Sequence, residues 1–247
     1  MIYTDLHCHI LPGIDDGAAD IEISRALLEA EVSQGIKQIA FTPHFYADRK
    51  SLKQFLRDRY EAALQLSPIL EELEISWSAG AEVRMVPELL NMDLSALRYV
   101  DTDYLLLEWP FTQFPLWGSE IVDHLFDEGM TPVFAHIERY DYFWSQPQQL
   151  DEYIENGVLC QINATALIRQ QTRKQALSLI KKGYVHLISS DAHNMDKRPV
   201  RMKTAYDLIE RELGKAVRFR LAENADRIFH GKEVDTSFPA KKFSLFG

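Results

Sequence analysis

Short apolar runs rich in β-branched residues alternate along the chain with longer segments of helical periodicity. Seven such runs predict strands, at 2–7, 36–42, 75–82, 103–109, 131–137, 157–163 and 185–190. The segments between them predict helices near 20–34, 51–73, 118–129, 147–156, 171–183 and 197–213. Several of these helices end at a glycine suited to a left-handed C-terminal cap, namely Gly35, Gly129, Gly157 and Gly183.

This alternation indicates the fold class. Near-continuous apolar strands separated by helices are typical of a parallel sheet covered by helices. Seven strands fit either an open doubly wound sheet or a closed barrel, and periodicity does not separate the two. Because the length of 247 residues is close to that of one α/β barrel, we expect a single domain over residues 1–247.

Composition and charge narrow the classes of partner. A net charge of −10 argues against nucleic acid, since phosphate contacts need clustered lysine and arginine. No apolar run approaches the roughly 18 residues of a membrane span, and the first residues resemble a strand rather than a signal peptide. Two cysteines, Cys8 and Cys160, make no disulfide framework, so we expect a reducing cytoplasm. No sequence feature indicates the oligomeric state.

Metal-capable side chains follow six of the seven predicted strands. They are His7 and His9, then Asp15 and Asp16 in the next turn, His44, Glu82, Glu108, His136, and Asp191 with His193. Because the C-terminal ends of parallel strands meet at one edge, we expect these side chains to lie together. His7 and His9 project from one strand face while Cys8 points to the other. Nitrogen and oxygen donors of this kind suit manganese, zinc or iron.

Each of these signals is weak alone. An isolated His-x-His pair also fits a structural pair, "DDG" fits an ordinary turn, and a carboxylate at a strand end fits a helix cap. The coincidence of five histidines at the same end of different strands favours a metal site. His124, His186 and His230 fit no such pattern and are interpreted as surface or packing residues.

Six motifs carry a resemblance to a known family. In order they are "DLHCHILPGIDDG", "TPH", "GAE", "LLLEWPF", "TPVFAHIER" and "SSDAHN". They resemble the motifs of the PHP (polymerase and histidinol phosphatase) superfamily, and more closely those of the manganese-dependent protein-tyrosine phosphatases encoded with bacterial capsule and exopolysaccharide genes. The likeness runs from residue 1 to about residue 230. It implies a distorted seven-stranded, TIM-like β/α barrel with three metals at the C-terminal mouth of the strands.

The resemblance also implies a ligand set. The ligands would be His7, His9 and Asp191 for the first metal, Glu108 and His136 for the second, and Asp16, His44 and His193 for the third. Glu82 would bridge the first two metals. Asp15 is the less favoured aspartate of its pair, because the family uses the one directly before the glycine. Arg139 and Arg198 match arginines that bind the substrate phosphate.

Charge counting agrees with a phosphate substrate. Three divalent ions carry six positive charges against four carboxylates, which leaves a pocket that attracts a phosphomonoester dianion. Bridged metals would lower the pKa of a shared water and provide hydroxide for in-line attack on phosphorus. Arg139 is suited to bidentate phosphate binding, with an ion pair to Glu138 as the structural alternative. For Arg198, phosphate binding and a structural ion pair are equally compatible with the sequence.

Cysteine-based tyrosine phosphatase chemistry does not fit this chain. It needs an arginine six residues after the nucleophilic cysteine, and those positions hold Ile14 and Ala166. Any tyrosine phosphatase activity would therefore be metal-driven. Aromatic residues after the predicted strands form a candidate rim for a phenyl ring, unless they pack their own loops: Phe45, Tyr46, Trp109, Phe111, Phe114, Trp117, Tyr140, Tyr142, Phe143 and Trp144.

The expected function is hydrolysis of phosphotyrosine in a protein. By resemblance, the metal is manganese and the substrate a bacterial tyrosine kinase that controls capsule or exopolysaccharide synthesis. The nearest alternative is a phosphatase of histidinol phosphate or another small phosphomonoester within the same superfamily. Asp16 and Glu108 favour the protein substrate, because many superfamily members carry histidine there. A non-catalytic binding barrel is the third possibility, and the complete ligand set argues against it.

Overall fold

The computed structural model describes residues 3–234 and 236, apart from the side chains of residues 144 and 147. Within this part of the chain there are nine strands: β1 Tyr3–Cys8, β2 Ile36–Phe41, β3 His44–Phe45, β4 Ser76–Ala79, β5 Glu82–Arg84, β6 Tyr104–Glu108, β7 Thr131–Phe134, β8 Leu159–Asn163 and β9 Leu187–Ser189. They form a three-stranded sheet, β1-β2-β4, and a six-stranded sheet, β3-β5-β6-β7-β8-β9. Every strand pair is parallel, as the sequence predicts.

Helices follow most of the strands and cover the sheets. They are α1 Ile21–Ser33, α2 Leu52–Glu72, α3 Gly118–Asp127, α4 Asp141–Ser145, α5 Pro147–Glu155, α6 Ala164–Ile168, α7 Gln170–Lys181, α8 Met202–Leu213 and α9 Lys215–Phe229. The six predicted helices are all present. The four glycines expected at C-terminal caps have positive φ angles, between 72° and 102°.

The last predicted helix begins later than its sequence pattern suggests. Residues from 197 were expected to be helical, but α8 starts at Met202. The side chain of Asn194 accepts backbone hydrogen bonds from Asp196, Lys197 and Arg198, at 3.2, 2.7 and 3.2 Å. Such an asparagine-centred turn competes with helix for the same backbone donors.

Two of the seven predicted strands are each divided in two. The run 36–42 continues past a break as β3, and the run 75–82 continues as β5. Pro43 lies in the first break and has no N–H group for the ladder. Gly80 lies in the second break, where a Cβ would come within 2.9 Å of the Tyr99 ring. At both breaks the chain passes from the three-stranded sheet to the six-stranded one.

Backbone contacts also connect the far edges of the two sheets. The N–H of Asp191, just after β9, donates to the carbonyl of His7 at 2.7 Å, and the N–H of His9 donates to Ala192 at 2.9 Å. Cys8 and Ala192 form an isolated parallel bridge. The parallel sheet is therefore curled, but the expected closed seven-stranded barrel is not confirmed, because the described strands form two sheets.

Packing of the sheets and helices is mainly apolar. The side chains of Leu6, Phe41, Leu107, Phe134 and Ile162 are fully or almost fully buried. Buried polar side chains lie at the C-terminal strand ends, and also at Asp5 in β1 and Glu31 in α1. Among the helices of the described residues, none combines the length and hydropathy needed to cross a bilayer.

Candidate metal centre

The turn after β1 is shaped by a glycine. A Cβ on Gly17 would lie 2.5 Å from the Cβ of His9, so only glycine permits this close approach. The approach brings the preceding aspartates over the histidines. Asp16 Oδ1 lies 3.3 Å from His44 Nε2 and 3.5 Å from His193 Nε2.

Glu82 is the centre of the cluster. Its carboxylate oxygens lie 2.7 Å from His136 Nε2, 2.9 Å from His44 Nδ1, 3.2 Å from His9 Nε2 and 3.3 Å from His7 Nε2. The side chain is fully buried at the start of β5. One carboxylate thus faces four imidazoles from three different segments of the chain.

All nine predicted ligands lie in this cluster. Their donor atoms form four overlapping groups in which every atom is within 4.8 Å of the others: His9, Asp16, His44 and His193; His7, Glu82 and His136; His7, His9 and Asp191; and His44, Glu82 and Glu108. Because the groups share His7, His9, His44 and Glu82, they form one continuous site with room for more than one ion. The histidine and carboxylate donors suit manganese, zinc or iron.

Two members of the cluster have strained backbones. His136 and Asp191 have φ angles of 33° and 51°, in the left-handed region that non-glycine residues rarely adopt. Such strain costs on the order of 1–3 kcal/mol and concentrates at functional sites. The geometry of these two side chains is therefore maintained by the surrounding fold.

The electrostatics of the cluster favour a cation. Burial raises the pKa of Glu82, but the charges of His7 and His44 outweigh burial and hold that pKa well below its usual range. Burial, followed by the charge of Glu82, raises the pKa of Glu108 to about 7. Two buried carboxylates that repel each other in this way are stabilised by positive charge between them.

Supporting side chains orient the candidate ligands. Gln161 Oε1 accepts a hydrogen bond from the His136 N–H at 2.7 Å and lies 3.2 Å from His7 Nδ1. Gln161 Nε2 donates to Asn163 at 2.9 Å, and Asn163 Nδ2 donates to Asp191 at 2.6 Å. Gln161 was not among the site residues predicted from the sequence. Its position on β8, two residues before the strand end, was the available signal.

Asp15 also supports the cluster. Its Oδ2 atom lies 2.7 Å from His9 Nδ1 and accepts the backbone N–H of His44 at 3.0 Å. Its Oδ1 atom accepts the N–H of Gly17 at 2.9 Å. A carboxylate on Nδ1 leaves the other ring nitrogen of His9 free to bind a metal.

The two predicted arginines lie beside Asp191. Arg139 Nη1 is 3.9 Å from Asp191 Oδ2, so the ion pair of Arg139 is with Asp191 rather than with Glu138. Arg198 donates to Asp191 Oδ2 and also lies 2.7 Å from His193 Nε2. Both guanidinium groups are partly exposed. They border a cavity of about 250 Å³ next to the cluster.

Most of the aromatic residues in the expected rim pack their own loops. Trp109, Phe114, Tyr142 and Phe143 contact one another. Three others reach the cluster. Tyr46 stacks on His44 with ring centroids 5.2 Å apart, Phe111 stacks on His136 at 5.6 Å, and the tilted ring of Tyr140 lies 5.6 Å from that of His136.

Phe111 combines exposure with a charge contact. Its side chain is 43% exposed, and the Arg139 guanidinium carbon lies 4.5 Å from its ring centroid. An exposed ring beside a phosphate-binding arginine is well placed for an aryl group. The side chain of Trp144, another member of the expected rim, lies outside the described residues.

The cysteines and the remaining histidines lie apart from this chemistry. Cys8 and Cys160 are both buried, and burial raises the pKa of each thiol. A buried neutral thiol is a poor nucleophile. His186 is buried and accepts the N–H of Cys160 at 3.0 Å, while the exposed His230 pairs with Asp226. None of the four metal-ligand groups among the described residues includes His124, His186 or His230.

Together the fold and the site define an α/β protein with a candidate multinuclear metal centre at the C-terminal ends of its parallel strands. The chain belongs to the family described as capsular polysaccharide synthesis, CpsB/CapC, which matches residues 3–230. This membership confirms the resemblance based on the six motifs.

Two relatives and one solved structure show similarity to this chain that is consistent with that family. The chain is 32% identical to the tyrosine-protein phosphatase YwqE of Bacillus subtilis (strain 168), over 98% of each chain. It is 30% identical to the tyrosine-protein phosphatase CpsB of Streptococcus pneumoniae, over 85% of this chain and 90% of that protein. A crystal structure from the work on these two proteins, which calls them unique metal-dependent tyrosine phosphatases, matches with a TM-score of 0.84 and 30% identity. The match covers 94% of this chain and 96% of the other.

Proposed function

We propose that this chain is a metal-dependent protein-tyrosine phosphatase. The observation that carries the proposal is the cluster itself, in which nine imidazole and carboxylate side chains converge next to a cavity bordered by arginines. Two relatives that match most of the chain are named tyrosine-protein phosphatases. Thiol chemistry does not fit, since both cysteines are buried with raised pKa values.

The proposed ligands divide among three metal positions. The first position has His7, His9 and Asp191, the second has Glu108 and His136, and the third has Asp16, His44 and His193. Glu82 would serve the first two positions together. The contacts of Glu82 support this assignment, because its two oxygens approach histidines from both sides of the cluster.

Unpartnered atoms in the cluster support the fit to cations. Asp191 Oδ1 is buried without a hydrogen-bond partner, and the buried atoms Glu82 Oε2 and His44 Nδ1 lie 2.9 Å apart without forming a hydrogen bond. Buried polar atoms of this kind are costly unless another group satisfies them, and a divalent ion does so. We propose manganese as that ion, with zinc and iron as the other metals that the donors accept.

The residues of this chain then have defined roles. Divalent ions held by these ligands would supply Lewis acidity and a hydroxide nucleophile. Arg139 and Arg198 bind the non-bridging phosphate oxygens and stabilise the charge that develops in the transition state. Phe111 offers its exposed face to the phenyl ring and orients Arg139 through the contact between the two side chains. A tyrosinate leaving group needs little help from a general acid.

The fold proposal is a distorted barrel of seven strands in one metallophosphatase domain over residues 1–247. The breaks at Pro43 and Gly80 would make β2 and β3 one barrel strand, and β4 and β5 another. The bridge between Cys8 and Ala192 would close the barrel. Two unpaired cysteines suit a reducing compartment, so we propose that the protein acts in the cytoplasm.

The proposed substrate is a phosphotyrosine protein, and specifically a bacterial tyrosine kinase involved in capsule or exopolysaccharide synthesis. Membership of the capsular polysaccharide synthesis family supports this choice. Histidinol phosphate is the competing substrate. A phenyl ring would gain from the exposed face of Phe111, which favours the tyrosine substrate.

The test is phosphate release by the manganese-loaded protein from a phosphotyrosine peptide and from histidinol phosphate, each with and without chelator. We expect chelator-sensitive turnover of the peptide and little of histidinol phosphate. His136→Ala is expected to reduce peptide turnover by more than the roughly 10–100-fold typical of lost metal-supporting contacts. His124→Ala, on α3 outside the four ligand groups, is the matched control. The opposite substrate preference, or full activity of His136→Ala, would contradict the proposal.

A further inference from the structure

A third arginine lines the cavity next to the metal centre. The cavity of about 250 Å³ is bordered by the proposed ligand Asp191 with Arg139 and Arg198 beside it, by Thr165 in α6, and by Arg169 between α6 and α7. Neither Thr165 nor Arg169 belongs to the ligand cluster or to the motifs of the sequence analysis. The cavity therefore extends from the proposed phosphate-binding arginines to a separate part of the chain.

The backbone around Arg169 is well anchored. Its N–H donates to the carbonyl of Thr165 at 3.0 Å, and its carbonyl accepts the N–H groups of Thr172 and Arg173 at 3.2 and 2.9 Å. The neighbouring Arg173 has a structural role, because its guanidinium donates to the carbonyls of Leu167 and Ile168 at 3.0 and 2.8 Å. The segment thus presents the side chain of Arg169 from a fixed position.

The guanidinium of Arg169 differs from the other two in its partners. Arg139 and Arg198 both contact Asp191. Arg169 is exposed, and within residues 3–234 and 236 its guanidinium makes no hydrogen bond or ion pair. Asp191 offsets part of the charge of Arg139 and Arg198, whereas the guanidinium of Arg169 borders the cavity without such a pairing and can bind an anion there.

The cavity has the size of one side chain. Pockets for whole small molecules span roughly 300–1,000 Å³, and this cavity lies below that range. In the proposed function, Arg139 and Arg198 bind the scissile phosphate. An anion bound by Arg169 would accordingly be a second group of the substrate.

We propose that Arg169 is a specificity-determining residue that binds an anionic side chain flanking the phosphotyrosine of the substrate. The inference rests on the proposed phosphatase function and names the substrate class of the same site. The anion is either the carboxylate of an acidic residue or the phosphate of a second phosphotyrosine. Both present oxygens that a guanidinium binds with paired hydrogen bonds.

The experiment compares three phosphotyrosine peptides that differ at the flanking position. One carries glutamine, one carries glutamate, and one carries a non-hydrolysable phosphonate analogue of phosphotyrosine. p-Nitrophenyl phosphate, which has no flanking group, is the fourth substrate. The manganese-loaded wild-type protein is compared with Arg169→Gln and Arg169→Glu, and with Arg211→Gln as a matched exposed control on α8.

The wild-type protein is expected to prefer at least one anionic peptide over the glutamine peptide by about three- to tenfold in kcat/KM, mainly through KM. Arg169→Gln should abolish this preference, and Arg169→Glu should reverse it. Arg169→Gln should retain wild-type turnover of p-nitrophenyl phosphate, and Arg211→Gln should match wild type with all substrates. The responding peptide identifies carboxylate or phosphate as the source of the anion.

Two results would overturn the inference while leaving the proposed function intact. The first is equal turnover of all three peptides by wild type. The second is a similar loss for every substrate in a folded Arg169→Gln protein, since that would place Arg169 on the scissile phosphate. Failure of the proposed function looks different, because wild type would then turn over none of the three peptides.

Discussion

Replacing Asp15 by asparagine isolates a supporting contact of the metal centre. The two carboxylate oxygens receive three donors: Oδ1 receives the N–H of Gly17, and Oδ2 receives His9 Nδ1 and the N–H of His44. An asparagine side chain has one acceptor oxygen and one NH₂ group. In either orientation its NH₂ group faces at least one N–H donor, so the substitution removes a hydrogen bond and a charge together.

The pKa of Asp15 sets the size of the effect in chelator-treated protein. Burial raises this pKa, but the charge of His9 outweighs burial and lowers it from 3.8 to about 2. At about 1.4 kcal/mol per pKa unit, the ionised carboxylate stabilises the fold by about 2 kcal/mol. Because the folded-state pKa is the lower one, this contribution is complete above pH 4 and is lost as pH falls toward 2.

Thermal unfolding and metal titration test this reasoning. At pH 7, Asp15→Asn is expected to lower the Tm of the chelator-treated protein by about 4–8 °C, and the difference should shrink to about half at pH 3. Manganese affinity should fall by roughly 10–100-fold, because His9 loses the partner that orients it. Asp123→Asn, an exposed position on α3, is the control. Equal Tm and equal metal affinity in Asp15→Asn and in this control would refute the supporting role of Asp15.

Three further predictions concern other residues of the site. Gln161→Leu removes the acceptor for the His136 N–H, so metal affinity in equilibrium dialysis should fall by roughly 10–100-fold; an unchanged affinity would contradict the supporting role. Phe111→Ala removes the ring under Arg139 and should raise KM for p-nitrophenyl phosphate by about two- to fivefold, with Phe111→Tyr close to wild type in steady-state kinetics. If KM does not change, Phe111 neither contacts the aryl group of the substrate nor orients Arg139 for phosphate binding. Replacing both Cys8 and Cys160 by serine should leave metal-dependent turnover essentially unchanged, because both thiols are buried with raised pKa values. A large loss of kcat in a folded double variant would instead require thiol chemistry.

Much of the chain's organisation follows from local sequence patterns. Apolar runs of six to eight residues alternating with amphipathic segments were sufficient to predict the seven strand regions and six of the helices. Parallel pairing places the C-terminal strand ends on one edge, and the sequence alone therefore predicted that His7, Glu82, His136 and Asp191 meet. These features depend on residues close in sequence and on a general rule of parallel sheets.

Other features depend on contacts between distant residues. Gln161 reaches His7 across 154 positions of sequence, and no local pattern encodes that distance. The role of Asp15 was similarly hidden, because a "DDG" turn does not reveal which aspartate faces His9. Whether a glutamine or an aspartate supports a ligand is determined by side-chain directions across neighbouring strands, which only the folded chain defines.

The sequence by itself predicted the seven strand regions, six of the nine described helices, the parallel α/β class and the nine candidate ligands. The tertiary structure decided how the strands divide, at Pro43 and Gly80, into two curled sheets. It also decided that Arg139 pairs with Asp191 rather than Glu138, and that Arg169 shares their cavity. The physical reason is that periodicity reports which face of an element is buried, whereas sheet curvature and side-chain pairing arise only when separate elements pack against each other.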